Sequence, residues 1–167
     1  SPLAVRYPPG PAPGHPLPNA EPLFSRPPIH LGEGELLREG TVAVVVAVGN
    51  MVVEAQNAAE RLVAEKGRSV AVFDARWIKP LPEKQLLDMA SRFDRILFAE
   101  ENALAGGFSS AVLELLVDNG ALHGQRIKRI GLPDAFVEHG TQAQLRHRLG
   151  LDDEGIYLTL KALLQEQ

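Results

Sequence analysis

Residues 41–48 form an apolar run, Thr41-Val-Ala-Val-Val-Val-Ala-Val48, with no polar alternation. A strand wetted on one face alternates, whereas an unbroken β-branched run suits a parallel strand covered on both faces. Gly49-Asn50 ends it, and the period then changes. Val52, Ala55, Ala59, Leu62 and Val63 recur at helical spacing, which predicts a helix over 51–66 stopped by Gly67. The same logic predicts strands over 69–73, 95–99 and 126–130, and helices over 82–90, 109–119, 141–149 and 152–164. Pro82 is tolerated in a first helical turn, and Thr141 is a good N-cap. In the last helix Ile156, Leu160, Leu163 and Leu164 mark the buried side.

Strand and helix thus alternate with short connections. Parallel strands need crossovers, and right-handed crossovers put helices on both faces. The expected fold is a three-layer α/β/α sandwich with a small, mostly parallel sheet. Ligands of such sheets gather beyond the carboxyl ends of the strands. That edge should carry Gly49-Asn50, Asp74-Ala-Arg76 and Glu100-Glu101-Asn102.

The first thirty residues read differently. Ten of the 13 prolines precede Ile29. Proline fixes φ and donates no backbone hydrogen bond, so this stretch is neither helix nor central strand. The expected division is 1–30 as a proline-rich connector and 31–167 as the compact domain.

Composition mainly excludes. At net charge −4 the chain has no global basic field for nucleic acid or anionic lipid. The absence of cysteine rules out disulfides, thiolate catalysis and cysteine-based zinc sites, and fits a cytoplasmic setting. The longest apolar run is too short to cross a bilayer.

Candidate chemistry on the sheet edge is sparse. Asp74 follows the first strand at the distance of a ribose-binding acid, but the turn at Gly49 has one glycine where a dinucleotide fingerprint needs three. The alternative for Asp74 is a strand-end acid that pairs with Arg76 or caps a turn. Glu100 and Glu101 leave a strand just before Gly106-Gly107, which opens a helix. A helix N-terminus favours an anion, and either carboxylate is itself an anion that would satisfy it. Paired carboxylates for acid/base work would need one raised pKa. His139-Gly140 precedes Thr141, as a turn histidine or a catalytic one. The histidines lack metal-ligand spacing, and no serine nucleophile elbow or P-loop is present. Arg146-His147-Arg148 reads as a solvated basic face. No complete catalytic set emerges.

Several motifs together resemble one family, 1-deoxy-D-xylulose-5-phosphate synthase. Asp74-Ala-Arg-Trp-Ile-Lys-Pro-Leu81 is similar to its D-x-R-F-x-K-P-L signature. Glu100-Glu-Asn102 with Gly106-Gly-Phe108 resembles its E-E-N…G-G-x-G-S. Gly131-Leu-Pro-Asp134, Phe136, Gly140-Thr-Gln142 and Leu149-Gly-Leu-Asp152 resemble its C-terminal run in order and spacing. The likeness begins near Leu3. It implies a transketolase C-terminal-like domain of an enzyme that joins pyruvate and glyceraldehyde 3-phosphate with loss of carbon dioxide, using thiamine diphosphate and magnesium, on the route to isoprenoids. The groups that hold the cofactor belong to the two preceding domains, so this chain alone is expected to bind no cofactor and be inert. Its partners would be those two domains, in a homodimeric parent. Arg6-Tyr7-Pro8-Pro9-Gly10 resembles the R-Y-P-R-G that closes the preceding domain, so the chain would start inside that domain's end. Pro9 replaces the family arginine associated with the substrate phosphate, which leaves Arg6 as the weaker candidate. Two alternatives remain: a free-standing module that binds a small anion at Gly106-Gly107, or the C-terminal domain of another transketolase or of a 2-oxoacid dehydrogenase.

Overall fold

A computed structural model describes residues 4–5 and 28–165 of the chain. The connector expected over 1–30, with Arg6, falls almost wholly outside the described residues.

Five strands form one sheet: β1 (Glu35–Arg38), β2 (Ala43–Ala47), β3 (Val70–Asp74), β4 (Arg95–Ala103) and β5 (Arg126–Leu132). Their order is β1-β3-β2-β4-β5, parallel except for β1, which runs antiparallel to β3. The sequence pattern predicts four of these strands. It passes over β1, which is four residues long, lies at the sheet edge and contains a register irregularity between Leu36 and Arg38. A short bulged edge strand has no full period to read.

β2 explains the three layers. All five of its residues are buried. Ala43, Val45 and Ala47 join a core with α1 (Met51–Lys66) and α5 (Asp153–Gln165). Val44, Val46 and Val48 join a second core with α2 (Glu83–Arg92) and α3 (Phe108–Asp118). Successive strand side chains point to opposite faces, so one apolar run supplies both cores. The expected α/β/α sandwich is the observed fold.

Helix ends follow local chemistry. Gly67 closes α1 in the left-handed conformation, φ 63°. Thr141 opens α4 (Gln142–Leu149) through a capping box with Gln144. α4 has no buried residue and lies on the outside of the molecule. α1 and α3 take no capping bond from the side chains at their own starts, and the sheet edge supplies the reason for α3.

Candidate functional site at the carboxyl edge of the sheet

β4 runs on to Ala103, past the Ala99 limit that the pattern predicts. Glu100 and Glu101 therefore sit within a strand and point to opposite faces. The two carboxylates thus do not form a pair within one site.

Glu100 turns toward α3 and is wholly buried. Its Oε2 accepts from the Phe108 N–H at 2.7 Å. Its Oε1 accepts from the Ser109 N–H at 2.9 Å and from the Ser109 hydroxyl at 2.6 Å. These N–H groups are among those a helix start leaves without intrahelical partners. A carboxylate from the strand thus caps α3 and meets the positive end of its dipole. Gly107 makes this possible: a Cβ there would collide with the Ala103 carbonyl oxygen and with Glu100 Oε2. Gly106 has φ 72°, and its N–H is bonded to the Ser110 hydroxyl at 3.1 Å. The helix N-terminus is thereby filled from within the fold.

Glu101 turns to the other face and is about a quarter exposed. Arg146 of α4 grips it with two bonds, Nε to Oε1 at 2.8 Å and Nη2 to Oε2 at 2.7 Å. Asn50 Nδ2 adds a third, to Oε2, at 2.9 Å. The Arg146 guanidinium, helped by Asn50, holds the Glu101 carboxyl below the usual carboxylate range against the opposing effect of burial. Bidentate arginine pairs of this kind fix orientation as well as charge. This one ties the outer helix α4 to the sheet. Arg146 is thus no solvated residue, which corrects the reading of the basic cluster. Nothing in linear order pairs positions 45 apart, so the partner was hidden; the period-2 alternation of β4 was the available signal for the two acids.

At the far side of the edge, Asp74 takes both roles open to it. It accepts from the Arg76 N–H at 2.9 Å, and its Oδ2 lies 3.9 Å from Arg76 Nε. Arg76 also pairs with Glu35 of β1. Burial raises the Asp74 carboxyl above its ordinary range, against the pull of Arg76. Arg76 itself has φ 55°, a left-handed conformation rare outside glycine. His139 is exposed in the segment between β5 and α4, and its side chain makes no hydrogen bond among the described residues. The structure does not bring it to Glu100.

The donor set does not suit a magnesium–diphosphate group. Among the described residues, no group of three histidine, aspartate or glutamate side chains is placed to hold a metal. The glycine-opened start of α3 is occupied by Glu100. No described helix is long and apolar enough to cross a membrane.

This doubly covered sheet, with a strand carboxylate closing a glycine-opened helix, belongs to the transketolase C-terminal domain family, whose model matches residues 32–156. The relatives narrow the class. The chain is 58% identical over 163 residues to the 1-deoxy-D-xylulose-5-phosphate synthase of Nitratidesulfovibrio vulgaris, covering 98% of this chain and 25% of the relative. It is 52% identical over 167 residues to that of Lawsonia intracellularis, covering 100% and 25%. The chain therefore spans about a quarter of the length of these relatives. Among solved structures, a split-gene transketolase described as an inactive beta4 tetramer aligns with TM-score 0.73 at 30% identity, covering 81% of this chain and 43% of that one. A transketolase from Pichia stipitis, at 18% identity and TM-score 0.57 over 80% of this chain and 18% of that one, shares the fold.

Proposed function

We propose that this chain is the C-terminal domain of a 1-deoxy-D-xylulose-5-phosphate synthase and works by packing and assembly, without catalytic groups of its own. The observation that carries this reading is identity of 58% to such a synthase over 98% of the chain but only 25% of the relative. The whole enzyme would join pyruvate to glyceraldehyde 3-phosphate with release of carbon dioxide. Thiamine diphosphate with magnesium, held by the two preceding domains, would supply the carbanion chemistry. Internal occupation of the α3 start by Glu100 supports an inert role, because the anion position is already taken. The solved split-gene relative, described as inactive, points the same way.

In this reading residues 1–30 are the end of the preceding domain and the connector, and residues 31–167 are the module. Arg6 is the candidate for the substrate phosphate, with Pro9 beside it. Gly106, Gly107 and Glu100 build a turn, Glu101 holds α4 to the sheet edge, and the exposed His139 is the candidate that faces a neighbouring domain. The parent would be a homodimer, in the cytoplasmic setting that a cysteine-free composition fits.

Calorimetric titration of the chain with thiamine diphosphate and magnesium tests the reading. The expected result is no binding heat, with full synthase activity in the polypeptide that includes the preceding domains. Micromolar binding to the isolated chain would contradict it.

A further inference from the structure

The carboxyl edge has two features that its internal bonds leave unused. One is a knob. Phe136, in the segment between β5 and α4, is 93% exposed. It is the exposed aromatic among the large hydrophobic residues of the described surface. The other is a groove of about 670 Å³, with Leu31, Pro80, Leu81 and Pro82 among its walls. Ile78, 48% exposed, lies in the segment that leads from β3 to this groove.

Topology puts both on one edge. The groove residues flank the start of β1 and the segment after β3, and Glu35 of β1 pairs with Asp74 at the end of β3. Phe136 follows the end of β5. β3 and β5 are separated by β2 and β4, so the strand ends that lead to groove and knob lie about three strand spacings, or about 14 Å, apart. That separation lies within a standard interface of about 800 Å² per partner. Both features are preset. The Glu101–Arg146 grip fixes α4, the helix that follows the knob in the chain. The Arg76 pairs with Glu35 and Asp74 fix the left-handed turn before the groove. Backbone strain of this kind persists only where the surrounding structure over-determines it.

We infer that this knob and groove form the docking face for the remaining three quarters of the synthase polypeptide, with Phe136 as the central anchor. The inference rests on the function proposed above, and the occupant follows from the chain's 25% share of its relatives' length. A large aromatic side chain seated in a partner pocket is the usual hot spot of an interface. The alternative cluster at Val117 and Leu122 lies at the opposite end of α3, away from both features.

Hydrogen–deuterium exchange compares the 167-residue chain with the full synthase polypeptide. Amides over 77–82 and 134–138 should exchange at least about tenfold more slowly in the full polypeptide, and those over 117–122 at the same rate in both. Phe136→Asp or Ile78→Asp in the full polypeptide should abolish the difference. In the 167-residue chain Phe136→Asp should leave the melting temperature within about 1 °C, because a change at so exposed a position costs little. Equal exchange in the two proteins overturns the inference. So does protection appearing in the isolated chain together with a doubled mass in sedimentation, because a second copy would then cover the face. An inactive full polypeptide that keeps the protection would count against the proposed function and leave the docking face standing.

Discussion

Glu100→Gln tests how α3 is anchored to the sheet. The substitution keeps shape and removes one acceptor and the charge. Oε1 serves two donors of Ser109 and Oε2 serves the Phe108 N–H, all in a wholly buried site. An amide offers one acceptor oxygen and one NH2 group. If its oxygen keeps the Ser109 bonds, its NH2 faces the Phe108 N–H. If it keeps the Phe108 bond, the NH2 faces the Ser109 N–H, although the Ser109 hydroxyl can rotate to accept. Either way one buried N–H is orphaned, at about 1–3 kcal/mol. Loss of the negative charge at the helix start adds about 0.3–2 kcal/mol. The expected total is about 3 kcal/mol. With a urea m-value of about 2 kcal/mol/M, the midpoint should fall by about 1.5 M. Urea unfolding of the 167-residue chain, followed by circular dichroism, measures this. A midpoint shift below about 0.3 M would refute the view that Glu100 is a buried cap, and would reopen the α3 start as a site for an external anion.

Two further perturbations follow from the same edge. Gly107→Ala should cost at least about 2 kcal/mol in the same unfolding assay, because its Cβ has nowhere to go between the Ala103 carbonyl and Glu100; near-wild-type stability would contradict the packing. Glu101 has a folded pKa below its ordinary value of about 4.3, so its pair with Arg146 contributes stability above that pH, which is lost as pH falls through the folded pKa. The melting-temperature gap between wild type and Glu101→Gln should therefore be full at pH 6 and shrink steadily below about pH 4; a gap independent of pH would exclude the ion pair as its source.

The fold was legible where periodicity was strong. The run at 41–48 announced a strand covered on both faces, and the structure places its side chains alternately in two cores. The helix over 51–66 matches α1 residue for residue. β1 was not legible, because a four-residue edge strand is specified by its neighbour and not by its own pattern. At the edge, the glycines and acids marked the right place but not the arrangement. The sequence alone leaves the carboxylate that satisfies the helix start open between Glu100 and Glu101. Strand alternation, extended two residues past Ala99, settles it by sending one acid to α3 and the other to α4. Arg146 is hidden for the opposite reason: its helix has no fully buried residue, so a side chain that turns inward reads as part of a solvated cluster.

Release of carbon dioxide from carboxyl-labelled pyruvate tests the central claim most directly. The purified chain is incubated with glyceraldehyde 3-phosphate, thiamine diphosphate and magnesium, beside the polypeptide that includes the preceding domains. The account predicts label release and 1-deoxy-D-xylulose 5-phosphate from the longer protein and none above background from the chain. Sustained turnover by the chain alone would contradict it.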